Sequence, residues 1–206
     1  MTSATIRVVP YSQADVEDVA LIHLAAFKGY MSARLGLSYT KAFLSWFLTY
    51  PNSITLKAEL DGKLCGYAIG APLSYAKAIS RDLLWVGIRS IIANPGVIVH
   101  RSFLYTCRAR LRILLTRKKK SVAREAGPEG KGISLIGIGV TPQFSGAGVG
   151  HTIMGVFEEN ARSMGMDYMV LSVYGHNTRA RTTYEKSGWR ILKEVGNGIV
   201  YSKHLR

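Results

Sequence analysis

Cysteine is scarce in this chain. The two present, Cys65 and Cys107, form no C-x-x-C pair, which argues against a disulfide scaffold and a metal knuckle and fits a reducing cytoplasm. Cys65 falls in an apolar strand pattern, Leu64 to Ala71, and reads as core. Acidic residues are also few: 13 Asp and Glu stand against 27 Lys and Arg, a formal net charge of +14. So basic a chain attracts anions. Aromatics are sparse in its most basic run and no nucleic-acid reader pattern is present, so nucleic acid is not the expected partner. No tract reaches the roughly 18–20 apolar residues that span a bilayer. Met1 to Tyr11 lacks the apolar segment of a secretory signal. A cytoplasmic location is expected, with a peripheral membrane contact as an added option. The 206 residues with 48% apolar content suit one folded domain.

Glycine, by contrast, is concentrated where it carries chemistry. An apolar stretch from Ile133 to Val140 reads as a buried strand. Gly146, Gly148 and Gly150 follow within five residues, and Ile153, Val156, Phe157 and Ala161 then recur with helical spacing. A strand feeding a glycine-rich turn at a helix start presents backbone N–H groups to one point, and the helix dipole favours negative charge there. The run reads as a pyrophosphate cradle. It is not a P-loop: His151 stands where the lysine belongs and Ser145 where the first glycine belongs. Nor is it a dinucleotide turn, because the spacing is G-x-G-x-G and the loop lies late in the chain.

A second apolar strand, Asp167 to Val173, leads into a block with Asn177, Ala180, Tyr184, Gly188 and Trp189 at fixed spacing. With Val140-x-Pro142 and Gly148-x-Gly150 before it, this block resembles the GNAT superfamily of acetyl-CoA-dependent N-acetyltransferases. The resemblance is close over residues 133–195. It departs at Ser145, where the family usually has Arg or Gln three residues before Gly148.

The resemblance implies an α/β (α+β) fold with a mixed, largely antiparallel sheet flanked by helices and splayed at the cofactor-binding strand. It implies acetyl-CoA as co-substrate and no metal. Ile138, Gly139 and Val140 would hold the pantetheine arm through their backbone, and Gly137 and Gly139 favour a bulge there. Ser145, Gly146, Ala147, Gly148, Val149, Gly150 and His151 would form the phosphate loop. Asn177 would cap the next helix and contact the cofactor arm. Tyr184, two helical turns later on the same face, would be the general acid. Phe27, Tyr30, Tyr39 and Tyr174 are candidate acceptor contacts, with Leu35 beside them. No carboxylate lies on the strand before the loop, so the base is unassigned among His176, Tyr174, His23 and a water chain.

The remaining pattern agrees in outline. Ile6 to Val9 reads as a strand. Ser12 caps a helix with Val16, Val19, Ala20, Ile22 and Leu24 inward, and Phe43, Trp46 and Phe47 pack inward from a second helix. Ile54–Leu60 and Leu64–Gly70 form a hairpin around Asp61-Gly62. The expected domain spans 1–206, with a basic helical insertion at about 74–132: Leu83 to Ala93, a break at Asn94-Pro95-Gly96, then Val97 to Leu115 and Arg117 to Lys120. Residues 101–131 hold ten Lys or Arg and two Glu, +8 of the formal +14. This run reads as a solvated loop, a lid drawing in an anionic acceptor, or a hairpin on anionic lipid. The expected activity is acetyl transfer by direct attack of a primary amine. A small-molecule acceptor is expected, with an amino sugar or nucleotide-linked amino sugar as the leading candidate. A peptide amine and a non-catalytic acyl-CoA sensor are the alternatives.

Overall fold

The computed structural model describes residues 5–28, 30–94, 96 and 128–205. Seven strands are present among them: β1 (Ile6–Pro10), β2 (Ile54–Leu60), β3 (Lys63–Pro72), β4 (Gly132–Val140), β5 (Tyr168–Tyr174), β6 (Arg190–Val195) and β7 (Gly198–His204). They make one sheet in the order β1-β2-β3-β4-β5-β7-β6. Only the β4–β5 pair is parallel. Its crossover carries helix α6 (Val149–Ser163), as a parallel pair requires a long connection. The other helices are α1 (Val16–Ala26), α2 (Met31–Arg34), α3 (Gly36–Thr49), α4 (Tyr75–Asp82), α5 (Leu84–Ala93) and α7 (Thr178–Lys186). The β2–β3 turn uses positive φ at both Asp61 (51°) and Gly62 (74°), the turn whose twist matches its strands.

The sheet is covered on both faces. On one, α6 buries Ile153, Phe157 and Ala161 against Leu56, Ala58 and Ala68 of the β2–β3 hairpin and Ile133 and Leu135 of β4. On the other, α1 and α3 bury Val16, Val19, Ala20, Leu44 and Phe47 with Tyr67, Ile69 and Ala71. Strand β3 thus alternates between the two cores, as a pleated strand must. Glycines 66 and 70 are where α6 approaches closest: a Cβ at Gly70 would sit 2.3 Å from the Phe157 ring.

Strand β4 breaks this alternation. Ile69 pairs with Gly137 but Gly70 pairs with Leu135, so β4 carries one extra residue, Ile136. Ile133 and Leu135 face α6, and Ile136 packs toward α1. Gly137 faces the α1 side as well, under Tyr67, after which Ile138 and Val140 return to the α6 side. A bulge of one residue reverses every later side chain. The expected bulge is therefore centred on Ile136, beside Gly137. Gly139 has a different reason to be glycine: a Cβ there would lie 2.7 Å from the Tyr67 ring.

Some local expectations change. Ser12 opens a 3-10 turn, Gln13–Asp15, and its N–H and hydroxyl both donate to Asp15 Oδ2 at 2.7 and 2.8 Å. Leu24 is only half-buried, while its neighbour His23 is 3% exposed. Trp46 packs half-buried at the rim of the α1–α3 core, stacked on Tyr50 with its Nε1–H donating to Asp82 at 3.0 Å. A separate helix, α4, precedes α5; it is strongly amphipathic, but its eight residues give only two turns of the pattern. The expected stretches Val97–Leu115 and Arg117–Lys120, and Cys107 within them, lie outside the described residues. Cys65 is fully buried, its thiol donating to the Ala58 carbonyl at 3.3 Å.

Candidate active site

The glycine run forms the entrance to α6. Pro142–Phe144 makes a 3-10 turn, and Gly146 and Gly148 then take φ of 89° and 79°, the left-handed region in which a side chain is strained. A Cβ at either glycine would meet nothing within 4 Å, so conformation and ligand access, not internal packing, call for glycine here. The first intrahelical bond joins Thr152 N–H to the Gly148 carbonyl at 3.0 Å. The N–H groups of Val149, Gly150 and His151 precede it and have no acceptor within the helix. The Val149 side chain is buried in the core, so only its backbone serves the loop, while His151 is exposed.

Strand β4 leads from this loop into a split in the sheet. It pairs with β5 only through Gly132–Tyr168, Ile133–Met169 and Ser134–Val170. Beyond Ser134 the strands part, while β4 stays paired to β3 and β5 to β7 along its length. The gap opens a cavity of about 280 Å³. Leu135 to Ile138 line one side, Leu171, Ser172 and Val173 another, and Asn177, Ala180 and Tyr184 of α7 a third. His23, Ala26, Phe27, Tyr30 and Phe43 close it from the α1–α3 side. The geometry fits a slender arm reaching from a phosphate cradle, through an unpaired strand edge, into a partly open chamber. The described residues present what acetyl-CoA requires.

Helix α7 is held at both ends. Asn177 caps its start, Oδ1 accepting the Ala180 N–H at 3.2 Å, and its side chain also hydrogen-bonds the Tyr30 hydroxyl. Gly188 ends it with φ of 82°, and Trp189 then inserts into the core, its Nε1–H directed at Met154 sulfur at 3.3 Å. This arrangement turns Tyr184 into the cavity. Burial pushes its phenol up to about 12, with the nearby Tyr30 adding to the rise. The group therefore keeps its proton at neutral pH.

Two polar features of the site are absent from any sequence motif. Arg179 of α7 reaches back to donate to Ser145 Oγ. The loop that lacks its usual Arg or Gln thus borrows a guanidinium from the next helix. Deeper in, His23 Nδ1 is 2.6 Å from the Tyr67 hydroxyl, and its ring stacks on Phe27 at 4.7 Å. Burial pulls the His23 imidazole down to about 4, so it is neutral at physiological pH. His23 is one of the candidate bases; its pairing with Tyr67 is not legible in the sequence, because the two positions lie on different elements. Of the other candidates, Tyr39 lies against α5 and stacks on Phe43, and Tyr174 stacks on His176 and meets the Tyr30 ring at a tilt. Neither lines the cavity, nor does half-buried Val140. Leu35 is buried.

The sequence model of the Acetyltransferase (GNAT) family matches residues 109–189, which include both the loop and the Asn177–Trp189 block. The fold agrees throughout. Over those residues the chain matches the GNAT family, and the whole chain has the GNAT fold. Similar solved structures include the PaiA N-acetyltransferase of Thermoplasma acidophilum in complex with coenzyme A: TM-score 0.60, 13% identity, 97% of this chain and 99% of that one. YncA of Salmonella typhimurium with its cofactor acetyl-CoA gives TM-score 0.59 and 13% identity over 98% and 94%. The aminoglycoside N-acetyltransferase AAC(6')-Iy in complex with CoA gives 0.62 and 12% over 94% and 93%. A comparison with curated protein sequences finds no match. At these identities the GNAT neighbours share the fold with this chain, and their acceptors remain their own.

Proposed function

We propose that this protein is a GNAT-type, acetyl-CoA-dependent N-acetyltransferase acting on a primary amine by direct attack. The observation that carries the reading is the continuity of glycine loop, parted β4 edge and the cleft lined by Tyr184. Acetyl-CoA supplies an activated acetyl carbon as its thioester. The N–H groups of Val149, Gly150 and His151 hold its pyrophosphate, and Arg179 adds the countercharge that Ser145 cannot. The backbone of Ile136 to Ile138, unpaired on the β5 side, orients the arm and polarises the carbonyl. Tyr184, still protonated, donates to the sulfur as the carbon–sulfur bond breaks.

The incoming amine must lose a proton as its nitrogen bonds to carbon. His23 is the imidazole lining the cavity, and we assign it that proton. In this assignment Nδ1–H donates to the Tyr67 hydroxyl and Nε2 accepts. The ammonium N–H of the tetrahedral adduct is far more acidic than that of a free alkylammonium, so a weak neutral base suffices. The acceptor side is aromatic, with Phe27, Tyr30 and Phe43, and no lining residue is Asp or Glu. Such a wall suits an amine on a neutral or anionic body, such as an amino sugar whose ring stacks on the aromatics, better than a polycation. The proposed catalytic unit spans residues 1–206.

Release of the CoA thiol across amino sugars, nucleotide-linked amino sugars, amino acids, polyamines and peptides tests this. Turnover is expected with the amino sugars. Best turnover with peptides would transfer the reading to a protein amine. Acetyl-CoA at about 100 times its Kd should stabilise the fold by about 2.7 kcal/mol. Stabilisation without turnover of any amine would make the protein an acyl-CoA sensor, and no stabilisation would refute the cofactor reading itself.

A further inference from the structure

Helix α5 turns its apolar side to solvent. At about 100° per residue, Leu84, Ile88, Ile92 and Trp85 share one arc of its surface. They are 52, 37, 74 and 71% exposed. The buried residue of this helix is Ser90. Scattered exposed leucines are ordinary, but a continuous stripe that includes tryptophan marks a surface with a partner.

Charge identifies the partner. α5 contains no acidic residue, and Arg89 borders the stripe. Lys77 and Arg81 are exposed on adjoining α4. The nearest acid, Asp82, is engaged by Arg81 at 2.8 Å and Trp46 at 3.0 Å. A second copy of a chain carrying +14 is repelled. Anionic lipid satisfies both features: headgroups meet the cations, while Trp and Ile enter the headgroup–acyl boundary. Among the described residues no helix is long and apolar enough to cross a membrane, so the contact is a surface one.

We propose that α5 docks the protein on an anionic bilayer through Leu84, Trp85, Ile88 and Ile92, rimmed by Arg81 and Arg89. The stripe lies close to the site. Gly87 sits against the Tyr39 ring, Tyr39 stacks on Phe43, and Phe43 lines the cavity. Docking holds the acceptor side near the membrane. It does not depend on the acetyl-transfer reading.

The test is flotation of the full chain with phosphatidylcholine–phosphatidylglycerol vesicles, against pure phosphatidylcholine. Tryptophan fluorescence is followed with acyl chains brominated. The protein is expected to float only with the anionic vesicles, to detach in high salt and to be quenched by bromine. The variant Trp85→Ser with Ile92→Ser is expected to lose the quenching and about tenfold or more of the partitioning. Its melting temperature and CoA-thiol release should stay unchanged, because both side chains are exposed and outside the site. Absence of binding to anionic vesicles overturns the proposal, as does equal binding by the variant. So does a Trp85 already shielded from acrylamide without lipid, or self-association through α5 that the variant abolishes.

Discussion

His23 should make folding stability depend on pH in a window where few other groups titrate. Its imidazole has an ordinary value of 6.5 and is pulled down to about 4 in the folded chain by burial. The unfolded chain takes up a proton near pH 6.5, the folded chain only near pH 4. Unfolding therefore draws in a proton between these values, and stability falls as the pH is lowered through them. The full difference is about 3 kcal/mol, of which about 2 kcal/mol is lost by pH 5. Asp15 acts elsewhere: a hydrogen bond from Lys57 holds it at about 2, so its contribution is lost only as the pH falls below 3.8. The assay is urea unfolding at pH 7.5 and 5.0 for the wild type and His23→Gln, which keeps a polar partner for Tyr67 but cannot titrate. The wild type should lose about 2 kcal/mol more than the variant between these pH values. Parallel pH dependence would refute the reasoning and show that His23 is solvated or charged in the folded state.

Tyr184→Phe should lower turnover about 100-fold or more while leaving acetyl-CoA affinity nearly unchanged; single-turnover kinetics with calorimetric binding would check this, and unaltered turnover removes the phenol from the mechanism. Arg179→Ala should weaken acetyl-CoA binding about tenfold and flatten its salt dependence, with turnover at saturation preserved. Equal affinity at low and high salt in both proteins would show that the guanidinium only braces Ser145. Gly70→Ala should cost about 1–3 kcal/mol, because its Cβ would lie 2.3 Å from Phe157 and 2.6 Å from the Ser134 carbonyl. A melting temperature equal to the wild type would mean that α6 moves away freely.

Local chemistry made much of the site legible. Glycine at 146 and 148 answers a backbone conformation and an open approach. Asn177, Tyr184, Gly188 and Trp189 are spaced by one helix and its ends, so spacing alone brings two of them to one face. The hairpin at Asp61-Gly62 is equally local. What escaped involves contacts between distant segments. Arg179 stands beside Ser145, 34 residues earlier, and His23 beside Tyr67, 44 residues later. No periodicity couples such positions. Gly139 showed the same limit: the sequence made it a bulge candidate, but the bulge falls at Ile136 and the glycine makes room for Tyr67.

Read alone, then, the sequence pointed to the GNAT resemblance, the glycine-rich turn that opens α6 and the helix carrying Tyr184, because each depends on backbone conformation and spacing within one element. Only the tertiary structure decided where β4 leaves β5, which side chains close the chamber, and how the loop regains a cation. These depend on register between strands and on packing across the sheet. Ser145 looked like a defect in the glycine run when read along the chain; across the fold it is the residue that Arg179 holds.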